Sequence, residues 1–295
     1  MESRRPTKRR RVSSADLITP PALDLTDDLP TPQTANPTAP KPEEEEEEEE
    51  EDDLLLSHAT HVLATQAAAL THITHLYRTS PGARLGLHHA VHALLTAHRT
   101  GGRLIACGVG KSAYIAQKLA ATCKSLGIPA SFLHACEAMH GDLGDIRAGG
   151  KDVVLFVSYS GRTPELVGLL PYLPRGTRVI ALTSHIEAED CVLLQGREAG
   201  EAILLPAPVP EREEVSFGVA APTTSTTVAL AVADMLALTV AEQLHGKRKG
   251  EVFTRNHPGG AIGVTEREVR KRKRKGEEAV VLELPSPSVS ASDDG

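Results

Sequence analysis

Three short loops hold the residues whose types and spacing could do chemistry. The first is Cys107-Gly-Val-Gly-Lys-Ser112, between a β-type apolar run and a helical pattern. Glycines there let backbone amides approach a ligand, and the start of a helix favours an anion. The second is Ser158-Tyr-Ser-Gly-Arg-Thr163, after the apolar run DVVLFV and before Glu165. Hydroxyls and helix-terminal amides suit phosphate oxygens, although capping a helix needs only one of them. The third is Glu213-Glu-Val-Ser-Phe-Gly218, running into Pro222-Thr-Thr-Ser-Thr-Thr227, with Asn256-His-Pro-Gly-Gly260 further on. An acidic pair entering a hydroxyl-rich helix start is unusual for a purely structural turn, whereas His257 read alone stays open between function and structure.

Two familiar motifs compete for the first loop. A nucleotide P-loop requires Gly five residues before the Gly-Lys pair, and Ile105 stands there. A dinucleotide fingerprint can be written as Gly108-x-Gly110-x-x-Ala113, but its acidic partner, Glu137, comes later than the usual distance. A lone Gly-x-Gly is weak evidence for either.

The elements that must position these loops follow from periodicity. Apolar residues at three- and four-residue spacing predict helices over 54–78, 83–99 and 112–126, and another from about 222 to 244. Short β-type runs lie at 103–107, 130–133, 152–157, 178–182 and 202–205. Strands alternating with helices read as a parallel sheet covered on both faces. Ligands in such sheets bind at the carboxyl ends of the strands, where all three loops fall.

Charge separates this body from its flanks. Residues 1–53 hold 16 acidic and 7 basic side chains, including an unbroken run from Glu43 to Glu51. The whole chain carries −7, so 54–266 is nearly neutral. The reading is a disordered acidic tail over 1–53, one domain over 54–266, and a disordered charged tail over 267–295. Lys8–Arg11 and Arg270–Lys275 are basic clusters that offer a nuclear-import route, or solvated charge on an otherwise cytoplasmic, intracellular protein. No apolar run approaches the length of a membrane span; the nearest, Val228–Val240, is broken by Asp234. Four cysteines without a C-x-x-C pair read as reduced thiols rather than zinc ligands. A neutral body with 3% aromatic residues argues against nucleic-acid binding.

Eight of the thirteen histidines lie between His58 and His98, some at helical spacing. A metal site there would want a carboxylate or thiolate, and 54–100 contains no Asp, Glu or Cys. Polar helix-surface histidines are the better reading, with no metal and no cofactor expected.

Taken together, five motifs recur in one order: Gly108-Val-Gly-Lys-Ser112, His134-x-x-Glu-Ala-x-His-Gly-Asp-Leu-Gly144, Ser158-x-Ser-Gly161, Ala221-Pro-Thr-Thr-Ser-Thr-Thr227 and His257-Pro-Gly-Gly-Ala-Ile-Gly263. In this the chain resembles the sugar isomerase (SIS) domain family, most closely its D-arabinose-5-phosphate isomerases, over roughly 55–265. The resemblance implies a three-layer α/β/α fold of flavodoxin-like type with a five-stranded parallel sheet. It implies interconversion of ribulose 5-phosphate and arabinose 5-phosphate by a homo-oligomer, a tetramer or dimer. The family's active-site lysine falls on Lys111 within Gly110-Lys-Ser112, its phosphate-binding hydroxyls on Ser158, Ser160 and Thr163, its two functional glutamates on Glu165 and Glu214, and its histidines on His140 and His257.

The chain also departs from that pattern. Ala113 replaces the glycine after Gly-Lys-Ser, Tyr159 the usual Asn between the serines, and Arg162 the residue after Ser-Gly. The family's Glu-Ala-Cys-Pro-Leu-Gly stretch becomes Glu214-Val-Ser-Phe-Gly218, with the glycine moved by one position. Residues 267–295 are too few and too charged for the paired CBS modules of many bacterial members.

An aldose–ketose isomerase must hold a phosphate, remove a proton next to a carbonyl and stabilise an enediolate oxygen. Ser158, Ser160 and Thr163 suit the first task, and Glu214 or Glu165 the second. Lys111 or a histidine suits the third, and His257 could open the sugar ring. The alternative is a SIS domain that senses a sugar phosphate without turnover, which would need the phosphate loop but not the acid–base set.

Overall fold

The computed structural model describes residues 42–259 except Ala148 and Ala199, with side chains from residue 50 onward. In chain order the elements are α1 (Pro42–Thr79), α2 (Pro81–Arg99), β1 (Leu104–Gly108), α3 (Lys111–Ser125), β2 (Ala130–His134), α4 (Ala135–Ala138), β3 (Val153–Val157), α5 (Pro164–Val167), β4 (Arg178–Thr183), β5 (Ala202–Pro206), α6 (Glu213–Phe217), α7 (Thr224–His245) and α8 (Lys249–Asn256). Short 3-10 turns join several of them.

The five strands form one all-parallel sheet in the order β2-β1-β3-β4-β5. Chain direction along the sheet reverses beside β1, so the crevice between the ends of β1 and β3 is where such a sheet takes its ligand. Alternate strand residues feed two cores. Leu104, Ala106, Val153, Leu155, Ile180, Leu182, Ile203 and Leu205 pack against α2, α3 and α7. Ile105, Cys107, Val154, Phe156, Val179 and Ala181 face the other way, onto α4, α5 and 3-10 turns. Strands buried on both faces explain the near-continuous apolar runs in the sequence. The three-layer α/β/α fold is therefore present, with one layer of long helices and one of single turns.

Helix ends follow local chemistry. Ser80 caps α2 by accepting from the Ala83 amide at 3.3 Å, and Pro81 fills the first helical position. Within α7, Val228, Val232, Leu236 and Val240 are fully buried, at the helical repeat. Among the described residues Thr224–Asn256 is the one helical stretch long and apolar enough to cross a membrane, and over half of its apolar window is buried in this core.

At the N-terminal side the structure differs from the sequence reading. Residues 42–53, expected to lie in a disordered tail, are helical, because glutamate is a good helix former and negative charge is favoured near a helix start. Residues 1–41 and 260–295, which hold both basic clusters and Gly260–Gly263, lie outside the described residues.

Candidate active site

The carboxyl ends of the strands frame a cavity of about 430 Å3. Its wall is built from the first turn of α3 (Lys111, Ser112), the end of β3 (Val157, Tyr159), the end of β4 (Leu182, Thr183), α6 with its preceding residue (Arg212, Glu213, Glu214) and the first turn of α7 (Ser225, Thr226).

The glycine loop shapes the α3 side. A Cβ on Gly108 would lie 2.8 Å from the Ser112 backbone, so the first turn of α3 can close on β1 only without a side chain there. Gly110 has φ of 56° and opens α3 with no side-chain cap. The first amides of α3 are thus left for another acceptor, beside the exposed Lys111. Cys107, at the end of β1, is fully buried, which pushes its thiol up to about 12 and removes it as a nucleophile.

The hydroxyl loop is held firmly by its neighbours. The Tyr159 carbonyl accepts from Thr183 Oγ1 at 3.0 Å and Ser184 Oγ at 2.7 Å, and the Ser160 carbonyl accepts from His185 Nε2 at 2.9 Å. Ser158 and Thr163 are hydrogen-bonded to each other at 2.7 Å, and Ser158 is buried. Of this loop Tyr159 lines the cavity, while Ser158, Ser160 and Thr163 do not. Burial, reinforced by the Glu213 charge, raises the Tyr159 phenol above its ordinary pKa. It stays protonated at neutral pH.

The acidic pair divides its labour. Glu213 is only 8% exposed, and its Oε1 accepts from the Thr223 amide at 2.9 Å, the Ser225 amide at 2.9 Å and Ser225 Oγ at 2.6 Å. It therefore caps α7, whose own N-cap residue, Thr223, makes no side-chain capping bond and turns its hydroxyl to the Ala221 carbonyl instead. Glu214 lies in the open and accepts from Arg212 Nη2 at 3.0 Å. A backbone hydrogen bond and Arg212 hold its carboxyl below the usual carboxylate range. Gly218, left-handed at φ 72°, ends α6 five residues after Glu213.

Of the expected site residues, the structure brings Lys111, Ser112 and Glu214 together in the cavity, with Gly110 at its edge. Glu165 is exposed on the single turn of α5, and His140 is exposed beyond α4; neither lines the cavity. His257 does not join it either. Its Nδ1 bonds the Phe253 carbonyl at 2.7 Å, its Nε2 meets Ser125 Oγ at 3.2 Å, and its ring stacks on Phe253 at 4.1 Å. Ser125 ends α3, whose length from Lys111 is roughly 20 Å at 1.5 Å per residue. Tyr159, Arg212, Glu213, Ser225 and Thr226 complete the wall. The hydroxyl-rich stretch after Pro222 pointed to the last two, and nothing in the sequence pointed to Arg212. Among the described residues no three His, Cys, Asp or Glu side chains converge as metal ligands.

Comparison with known proteins agrees with this geometry. The SIS domain model matches residues 99–239. Arabinose 5-phosphate isomerase GutQ of Salmonella typhimurium is 40% identical over 163 residues, 55% of this chain and 47% of that protein. Arabinose 5-phosphate isomerase KdsD of Pseudomonas aeruginosa is 40% identical over 163 residues, 55% of this chain and 46% of that protein. The chain thus matches about half the length of these curated relatives. The solved structure of E. coli CFT073 c3406, in complex with arabinose 5-phosphate, superposes with a TM-score of 0.56 at 30% identity, covering 69% of this chain and 97% of that one.

Proposed function

The chain belongs to the sugar isomerase (SIS) domain family, and from that premise we propose that it is an aldose–ketose isomerase of sugar phosphates, acting on arabinose 5-phosphate and ribulose 5-phosphate. The observation that carries the reading is the single cavity in which an ammonium, an acidic pair and two helix N-termini converge at the strand ends. A sensor of sugar phosphate would need the anion-holding parts but not the carboxylates.

The division of roles follows from the geometry. The phosphate lies against the amides opening α3 and the hydroxyl loop, with Ser158 and Thr163 setting that loop's shape. Glu214 carries negative charge at neutral pH and is exposed at the mouth of the cavity. It is the candidate to take the proton from sugar C2 and return it at C1. Lys111 donates to the oxygen on which enediolate charge develops, with Arg212 adding positive charge at the same mouth. Glu213 holds the segment in place. No step calls for a metal or cofactor.

Assembly and location belong to the same proposal. Leu54, Leu55, Leu56, Val62 and Leu63 of α1 are exposed, an apolar stretch suited to covering by further copies of the chain. A tetramer or dimer is the proposed state, in the cytoplasm, and His257 could serve this cavity only from a second copy. Light scattering that returned a monomer at micromolar concentration would remove both the oligomer and that role for His257.

The function is tested by incubating the full chain with ribulose 5-phosphate and following arabinose 5-phosphate by NMR. Interconversion supports the isomerase. Binding of arabinose 5-phosphate without conversion would make the protein a sensor.

A further inference from the structure

Most of the histidines between His58 and His98 find no use in the chemistry above, but one reaches the glutamate segment. His61 lies on an exposed stretch of α1, two turns before α1 enters the core at Ala69 and Ile73. Its Nε2 lies 3.0 Å from the Ser216 carbonyl, and its ring meets Phe217 edge-on at 5.9 Å. Among the described residues this is the one side-chain hydrogen bond from α1 residues 50–68 to another element. A carbonyl only accepts, so Nε2 carries the proton in both the neutral and the charged ring.

The tether matters because α6 is too short to hold itself. Five residues give one helical turn, and Glu214 and Val215 of that turn are exposed. One end is fixed by Glu213 on α7. The other, Ser216–Phe217, is fixed by His61. Between these two points lies Glu214, whose carboxylate is bonded to the exposed Arg212.

We propose that His61 is a positioning residue, through which α1 holds α6 so that its carboxylates face the cavity. The proposal rests on the isomerase reading of that cavity for its consequence in rate, but not for the tether itself.

The experiment uses the full chain and its His61→Ala and His61→Gln variants. Alanine suits an exposed helical position, so α1 is kept; glutamine restores a donor. Hydrogen–deuterium exchange over residues 211–218 should be about three- to tenfold faster in His61→Ala, the value of one hydrogen bond. Exchange in α3 and the sheet should be unchanged, and His61→Gln should recover most of the protection. With arabinose 5-phosphate, kcat should fall by about the same factor in His61→Ala while KM stays within about twofold, because the phosphate loop is untouched. A Phe217→Leu variant, which removes only the ring contact, should show a smaller version of both changes. Unchanged exchange over 211–218 in His61→Ala overturns the proposal, as does faster exchange with unchanged kcat. If the parent chain turns over no sugar phosphate yet the exchange still rises, the tether stands and the isomerase reading falls.

Discussion

Replacing Glu213 and Glu214 one at a time should separate support from chemistry within two adjacent residues. In Glu213→Ala the amides of Thr223 and Ser225 and the Ser225 hydroxyl lose their acceptor. A buried donor left unpaired costs about 1–3 kcal/mol. Water can enter from the cavity to relieve part of this, which leaves about 3–4 kcal/mol for the three donors together. For a body of this size that is a fall in Tm of roughly 6–16 °C. Glu213→Gln keeps a carbonyl in place and loses only the charge at the α7 terminus, about 1–2 kcal/mol or some 2–8 °C. Glu214 is exposed, so Glu214→Gln should shift Tm by no more than about 2 °C. Turnover should sort the other way. Without a base, Glu214→Gln should lose roughly 10²–10⁴-fold in kcat and in deuterium uptake at sugar C2 in D2O. Differential scanning calorimetry and NMR in D2O read the two halves. If Glu213→Ala melts within about 2 °C of Glu214→Ala, Glu213 is not the anchor the hydrogen bonds describe. If C2 exchange survives in Glu214→Gln and disappears in Glu213→Gln, the base is Glu213.

Further outcomes follow from the same geometry. Ser158→Ala frees Thr163 from its partner and should weaken arabinose 5-phosphate binding about tenfold by calorimetry, with secondary structure unchanged. Gly108→Ala drives a methyl into the Ser112 backbone, so the protein should melt several degrees lower or fail to accumulate in soluble form. The Glu214 carboxyl is held below its ordinary 4.5, so as pH falls from about 7 to about 5 it stays ionised and the base remains available. An acid limb of kcat/KM centred above about pH 5, surviving in Lys111→Met at reduced rate, would assign the loss to a different group. A chain beginning at Asp53 should keep its Tm within about 2 °C, because among the described side chains of α1 the first buried one is Ala69.

The sheet was legible from residue types alone. Apolar runs of four to six residues at 103–107, 130–133, 152–157, 178–182 and 202–205 each became a strand within a residue or two, because burial on both faces leaves no other way to write them. Lys111 and Ser112 were legible too, since a glycine loop between a strand and a helix fixes where the helix starts. Residues whose role depends on a partner far along the chain waited for the folded arrangement. Glu213 and Glu214 are chemically identical and adjacent, and which one is buried depends on donors ten and twelve residues beyond Glu213. His61 is one histidine among eight until α6 comes to rest beside it, 155 positions away. His257 sits in a motif that reads as catalytic, but α8 lays it against the far end of α3. Local pattern records the periodicity of burial, and it carries no information about which distant groups will meet.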